Sequence, residues 1–239
     1  MAFLPPLDTT ECATITAFST TILGFLIYWF TSTSKKLEER VAKRLGENYS
    51  STWVISMRVL GFLSLGVMPG AAMWCFAGLS PVDLGLKAQF SLTHLWWVLG
   101  IGALLVPINI VNAKKPVNLA TYPQIRNKVW SPTLVVVSAL TWLLYLFGYE
   151  FLFRGVLFLG VHESIGVWPA IALNACIYSA VHIPKGIGEA IGALPFGVVI
   201  CLVTLSTGDI WVAFLAHGVL ALSNEWSSLY HQKGMRIGT

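Results

Sequence analysis

An acid, a guanidinium and two imidazoles stand in stretches that otherwise read as membrane helix. Glu150 and Arg154 lie in Tyr149-Glu150-Phe151-Leu152-Phe153-Arg154, His182 ends Tyr178-Ser179-Ala180-Val181-His182, and His217 sits between Ala213-Phe214-Leu215-Ala216 and Gly218-Val219-Leu220. An ionisable group at the centre of a membrane helix costs about 2.5–3.5 kcal/mol on insertion scales, so chains keep such groups where they pair or line a wet cavity. A carboxylate and an imidazole can each take a proton from water, and a second imidazole can donate to a developing oxyanion. The same set could hold a metal ion or relay protons in a carrier.

Glu150 and Arg154 are four apart, so on a helix they share a face and can pair. That pair alone would serve equally well as a structural clamp. His182 precedes Pro184, where its helix should stop, and Tyr178 is one turn earlier on the same face. A histidine at a helix end is often only a cap. His217 has no polar neighbour in sequence and therefore needs a buried partner. His162-Glu163 begins like a zinc-binding H-E-x-x-H motif, but Gly166 replaces the second histidine and the segment reads as an exterior loop.

The elements that position these residues follow from composition. Hydrophobic residues make up 56% of the 239 and charged ones only 11%, with a mean hydropathy of +0.72; a soluble domain carries about 25% charged residues. Crossing hydrocarbon takes about 20 apolar residues, and seven segments qualify, roughly 13–33, 53–79, 91–112, 131–160, 166–183, 190–206 and 209–230. The fourth exceeds one crossing and is expected to be tilted, protruding or broken near Gly148. The fold class is therefore all-α, a polytopic membrane bundle of about seven to eight spans. Residues 1–130 hold N-terminal spans and basic loops, 131–230 the site-bearing helical core, and 231–239 a tail. The N-terminal stretch Met1–Asp8 lacks the basic residues and cleavage site of a signal peptide, so the first apolar segment is expected to remain a span.

Charge orients the bundle. With seven crossings, twelve basic residues fall on one side: Lys35, Lys36, Arg40, Lys43 and Arg44, then Lys114, Lys115, Arg126 and Lys128, then Lys185, Lys233 and Arg236. Lys87 alone falls on the other. This bias places the C-terminus in the cytoplasm, with a bacterial cytoplasmic membrane as the expected location. Positive charge confined to loops gives no sign of nucleic-acid binding. Arg58 is expected to snorkel from its helix end, and Lys35–Arg44 to extend the first helix into solvent. Trp96, Trp97, Trp130, Trp168 and Trp211 fall near span ends, as interfacial anchors do. Cys12, Cys75, Cys176 and Cys201 are too scattered for a zinc knuckle or disulfide framework and read as small buried apolar residues.

The polar positions, in order, resemble the CPBP family of CAAX-type and bacteriocin-processing (Abi) membrane proteases. Its first motif, Glu-Glu-x-x-x-Arg followed by Gly, is similar to Tyr149-Glu150-Phe151-Leu152-Phe153-Arg154-Gly155. Its aromatic-x-x-x-His motif matches Tyr178 to His182, and its His-x-x-x-Asn motif matches His217 with Ala221 in the fourth place. The linker with Pro195-Phe196-Gly197 and Ser206-Thr207-Gly208-Asp209-Ile210-Trp211 fits as well, so the resemblance covers about 131–230. It implies a water-filled intramembrane cavity in which a glutamate and the second-motif histidine activate water for peptide hydrolysis, while the third-motif pair stabilises the oxyanion. On this resemblance Glu150, His182 and His217 are the catalytic candidates, with Arg154, Tyr149, Tyr178 and Asn224 in support.

Two family positions differ here: Tyr149 replaces the first glutamate and Ala221 the asparagine. Asn224 lies about 20° from His217 around the helix but about 10 Å further along it. A general base contributes about 10²–10⁴ in rate and an oxyanion donor about 10²–10³. Three readings follow: an endopeptidase acting on a peptide or membrane-protein substrate, a catalytically degenerate relative serving as subunit, chaperone or scaffold, and a proton-coupled carrier. No cofactor motif is visible. Metal dependence and lipids or pigments held by the many aromatic residues are left open. The span count also places Glu150 towards the exterior end of its helix and His182 towards the cytoplasmic end of the next, so a shared site requires either a broken, partly re-entrant fourth segment or a different crossing parity; the basic-loop bias favours a broken or tilted segment.

Overall fold

The computed structural model describes residues 7–46 and 49–238, so most of the N-terminal stretch read for a leader lies outside the described residues. The described residues form helices α1 (Thr9–Ser32), α2 (Lys35–Leu45), α3 (Tyr49–Ala77), α4 (Leu92–Ala113), α5 (Pro116–Thr121), α6 (Pro132–Ile165), α7 (Val167–Ala180), α8 (Ile187–Thr207) and α9 (Trp211–His231). Two short strands, β1 (Val129–Trp130) and β2 (Arg236–Ile237), pair in parallel. Six stretches are long and apolar enough to cross a membrane: α1, α3, α4, α6, Val167–Lys185 and α8. The chain is an integral membrane helix bundle. The seventh expected span forms as α9, but Ser223, Asn224, Glu225, Ser227 and Ser228 make its second half polar.

Local chemistry sets the helix ends. Asp8 and Glu11 form a reciprocal capping box on α1, Asp8 Oδ1 accepting from the Glu11 amide at 2.8 Å. Ser131 caps α6 through the Leu134 amide at 3.1 Å, with Pro132 at the first helical position. Gly208 ends α8 at φ +68°, in the left-handed region that a glycine enters without penalty.

The connections gather at two ends. At one, the Arg126 amide donates to Ser50 Oγ at 2.8 Å, Asn118 Nδ2 to Ser228 Oγ at 2.7 Å, and β1 pairs with β2. At the other, the Ile210 amide donates to Gly85 O at 3.2 Å and Trp211 Nε1 to Lys87 O at 2.6 Å. His94 Nε2 meets Asp209 Oδ2 there at 2.7 Å, both side chains buried. In the loop before α4, Ser80 donates to Asp83 from both its hydroxyl and its amide, which holds that carboxyl below the usual carboxylate range.

Helix α6 is the hub, packed against α3, α9, α7 and α1. It does not break at Gly148: helical backbone continues through Glu150, and the winding widens to π over Phe151–Leu159. Gly148 serves close packing instead, since a Cβ on Gly66 of α3 would lie 2.7 Å from the Gly148 Cα. Residues 151–158 are all buried, as expected of a helix enclosed by others. The expected depth conflict does not arise: the C-terminal end of α7 packs beside the middle of α6, where the Tyr178 hydroxyl reaches Glu150 Oε1 at 3.3 Å.

Several expectations are corrected. Lys35–Leu45 is a separate helix with its own cap, Ser34, rather than an extension of α1. Arg58 does not snorkel: it is 2% exposed and paired with Glu225 at 3.4 Å. Trp130 is fully buried against Ile125 and Leu229, not an interfacial anchor. Cys75 and Cys176 are exposed on the outside of the bundle, whereas Cys201 is buried. His162–Ile165 closes α6 as a helical turn rather than a loop.

Candidate active site

Three helices bring the sequence-derived residues together. Glu150, on α6, is fully buried. Its Oε2 accepts from Arg154 Nε at 3.0 Å. Its Oε1 accepts from His217 Nδ1 on α9 at 2.6 Å and from the Tyr178 hydroxyl on α7 at 3.3 Å. His217 thus has the buried partner that its apolar surroundings required. The i,i+4 spacing delivers Glu150 to Arg154 directly, while the tertiary fold delivers α9.

Arg154 is fully buried too. Its Nη1 donates to Asn174 Oδ1 and to Cys201 Sγ, and its Cζ lies 4.6 Å from the centre of the Tyr178 ring. Asn174 Nδ2 donates in turn to the Phe153 carbonyl at 2.6 Å, inside the π stretch. Such stretches recur at functional sites.

His182 is 8% exposed, and its Nδ1 lies 2.7 Å from the Tyr178 carbonyl. A carbonyl only accepts, so Nδ1 carries the proton and Nε2 is the ring nitrogen left over. By the same reasoning His217 donates from Nδ1 to the Glu150 carboxylate and retains Nε2. The Tyr149 ring neighbours both, 6.3 Å from the His182 ring centre and 5.8 Å from that of His217, edge-on to each.

Both imidazoles line a chamber of about 610 Å³, together with Tyr149, Tyr178, Phe196, Ala221 and Asn224. Asn109, Asn112, Asn118, Tyr122, Lys185 and Glu189 line it as well. Burial pushes the Tyr122 phenol above its usual range, so it stays protonated beside Lys185. Glu150 and Arg154 are not on the chamber wall; the carboxylate lies behind it, held on both oxygens. Asn224 does reach the chamber, and its Oδ1 is 3.5 Å from Ser228 Oγ. Among the described residues no three His, Cys, Asp or Glu side chains gather as a metal site would require.

Residues 122–223 match the family model described as type II CAAX prenyl endopeptidase Rce1-like. Over that segment, which is less than half of the chain, the protein resembles a CAAX-protease core. All three motifs fall inside the matched segment. No curated protein and no solved structure matches the chain. The chamber also draws on α4 and α5, ahead of the match.

The buried polar residues that the sequence did not mark as site candidates include His94, Asn174, Asp209 and Glu225. Glu225 lies in the polar second half of α9, where the surrounding serines and Asn224 make it inconspicuous, and it anchors Arg58 and the Gln124 amide. Asn174 carried a readable signal, a single polar side chain among apolar neighbours, whereas Asp209 follows Ser206-Thr207-Gly208 at a turn.

Proposed function

We propose that the protein is an intramembrane endopeptidase that hydrolyses a peptide bond of a peptide or membrane-protein substrate with water activated in the α6–α7–α9 chamber. The observation that carries this reading is that both imidazoles line one chamber, each held through Nδ1 with Nε2 remaining. His182 Nε2 takes a proton from water as the oxygen bonds to the scissile carbonyl carbon and the C=O pair moves onto oxygen. His217, in its protonated form, donates to that oxyanion from Nε2 while its charge faces the Glu150 carboxylate. Collapse of the intermediate breaks the C–N bond, and His182 returns its proton to the departing amine. Glu150, expected from the sequence as part of the base, acts through His217, because both its oxygens are engaged and it lies off the chamber wall. This chemistry uses side chains and water alone. The basic-loop bias supports a cytoplasmic C-terminus, on the side where Lys115 and Lys185 line the chamber.

The test is cleavage by the purified full-length protein in lipid nanodiscs, read by mass spectrometry on a fluorescence-quenched farnesylated CAAX peptide and on a pool of unmodified peptides. Wild type is expected to cut at a defined bond, with the rate falling about 10²–10⁴-fold in His182→Ala. Absence of cleavage by wild type, or unchanged cleavage in His182→Ala, overturns the reading. A second reading, a degenerate relative acting as an assembly subunit, is favoured by the full engagement of Glu150 and by Tyr149 and Ala221. It requires co-purifying membrane-protein partners under mild detergent and no peptidase activity.

A further inference from the structure

Arg154 grips Glu150 with a single nitrogen. A guanidinium beside a carboxylate commonly uses two, in parallel. Here Nε alone reaches Glu150, through Oε2. Nη1 points instead to Asn174 Oδ1 on α7, and Nη2 has no hydrogen-bond partner among the described residues. The consequence falls on the other carboxylate oxygen. Oε1 is left to accept from His217 Nδ1 at 2.6 Å, with the Tyr178 hydroxyl further off at 3.3 Å.

The orientation of the Asn174 carboxamide follows from its neighbours. The Phe153 carbonyl can only accept, so it faces Nδ2; Arg154 can only donate, so it faces Oδ1. Asn174 is 1% exposed, and its Oδ1 also accepts from the Cys201 thiol at 3.3 Å. It is therefore fixed at both ends, one of them on the π-wound backbone that carries Arg154.

We infer that Asn174 is a positioning residue: by drawing Arg154 Nη1 away from Glu150, it reserves Oε1 for His217 Nδ1 and so sets the ring orientation that leaves Nε2 for the chamber. Its role in catalysis rests on the peptidase reading; its role in orienting His217 does not. Without the Oδ1 acceptor, the guanidinium turns to engage both carboxylate oxygens, and the His217 hydrogen bond weakens.

The test is ¹⁵N-histidine NMR of the full-length protein in nanodiscs, with His217 assigned by the signal lost in His217→Gln. Wild type is expected to show a hydrogen-bonded, slowly exchanging Nδ1–H at His217. Asn174→Leu is expected to lose or broaden that signal, and to lower kcat ten- to hundredfold with KM changed less than threefold. Asn174→Ala, a smaller change in packing, is expected to do the same and serves if the leucine variant does not fold. Asn174→Asp keeps an acceptor for Arg154 and is expected to retain the Nδ1–H signal. Persistence of the wild-type signal in Asn174→Leu or Asn174→Ala overturns the inference, whatever the activity. Loss of the signal in a protein whose wild type cuts no peptide overturns only the peptidase reading.

Discussion

The bundle contains two histidine–carboxylate contacts of nearly equal length, 2.6 Å between His217 and Glu150 and 2.7 Å between His94 and Asp209. Their settings differ. At His94 both ring nitrogens are used: Nε2 faces Asp209, and Nδ1 accepts from the Ser91 amide at 3.1 Å beside the Ser91 hydroxyl at 2.8 Å. That histidine ties the start of α4 to the α8–α9 junction and has nothing left to offer. At His217 one nitrogen is held and the ring borders a chamber. A His–acid pair becomes a candidate for chemistry when one nitrogen stays uncommitted beside space for a substrate; with both satisfied it is a rivet.

The largest expected effect that would sharpen this contrast is at Glu150. Glu150→Gln leaves Arg154 buried without its counter-charge, which should cost about 3–5 kcal/mol, read as a lowered unfolding temperature in detergent together with loss of cleavage. Glu225→Gln tests whether such a loss needs a chamber. Arg58 keeps Ser138, Gln124 and the face of Trp142, so the cost should sit at the low end, about 3 kcal/mol, with residual cleavage per folded molecule preserved. Asp209→Asn breaks the rivet. It should cost about 1–3 kcal/mol and leave both cleavage and the His217 Nδ1–H signal unchanged; a shift at His217 would erase the distinction between the two pairs. The smallest effect is expected for Tyr149→Phe. The buried Tyr149 hydroxyl has no partner, so removing it should leave unfolding within about 1 kcal/mol of wild type, in the stabilising direction.

The buried charges divide in the same way by what a sequence can reveal. Glu150 and Arg154 are four residues apart on one helix, so their pairing is a local consequence of helix geometry. Arg58 and Glu225 are 167 residues apart, and nothing local joins them. Read alone near a helix end, Arg58 resembles a snorkelling residue; only the packing of α3 against α6, α9 and the segment that carries Gln124 gives it an acid, an amide and an indole. His182 and Glu150 fail by depth rather than by partner. Helix length can be counted from residues, but a short α7 beside a long α6 sets relative depth through packing.

The sequence by itself determined the all-α membrane architecture, the order of the spans and the motif positions, because hydrocarbon demands long apolar helices and makes every retained charge conspicuous. The family match over 122–223 agrees with those motifs. Only the tertiary structure decided that Glu150 sits behind the chamber wall while Tyr149 lies on it, that α6 changes its winding at Phe151, and which ring nitrogens are held. Those outcomes depend on hydrogen bonds and close approaches between helices far apart in the chain, and such contacts leave no periodicity to read.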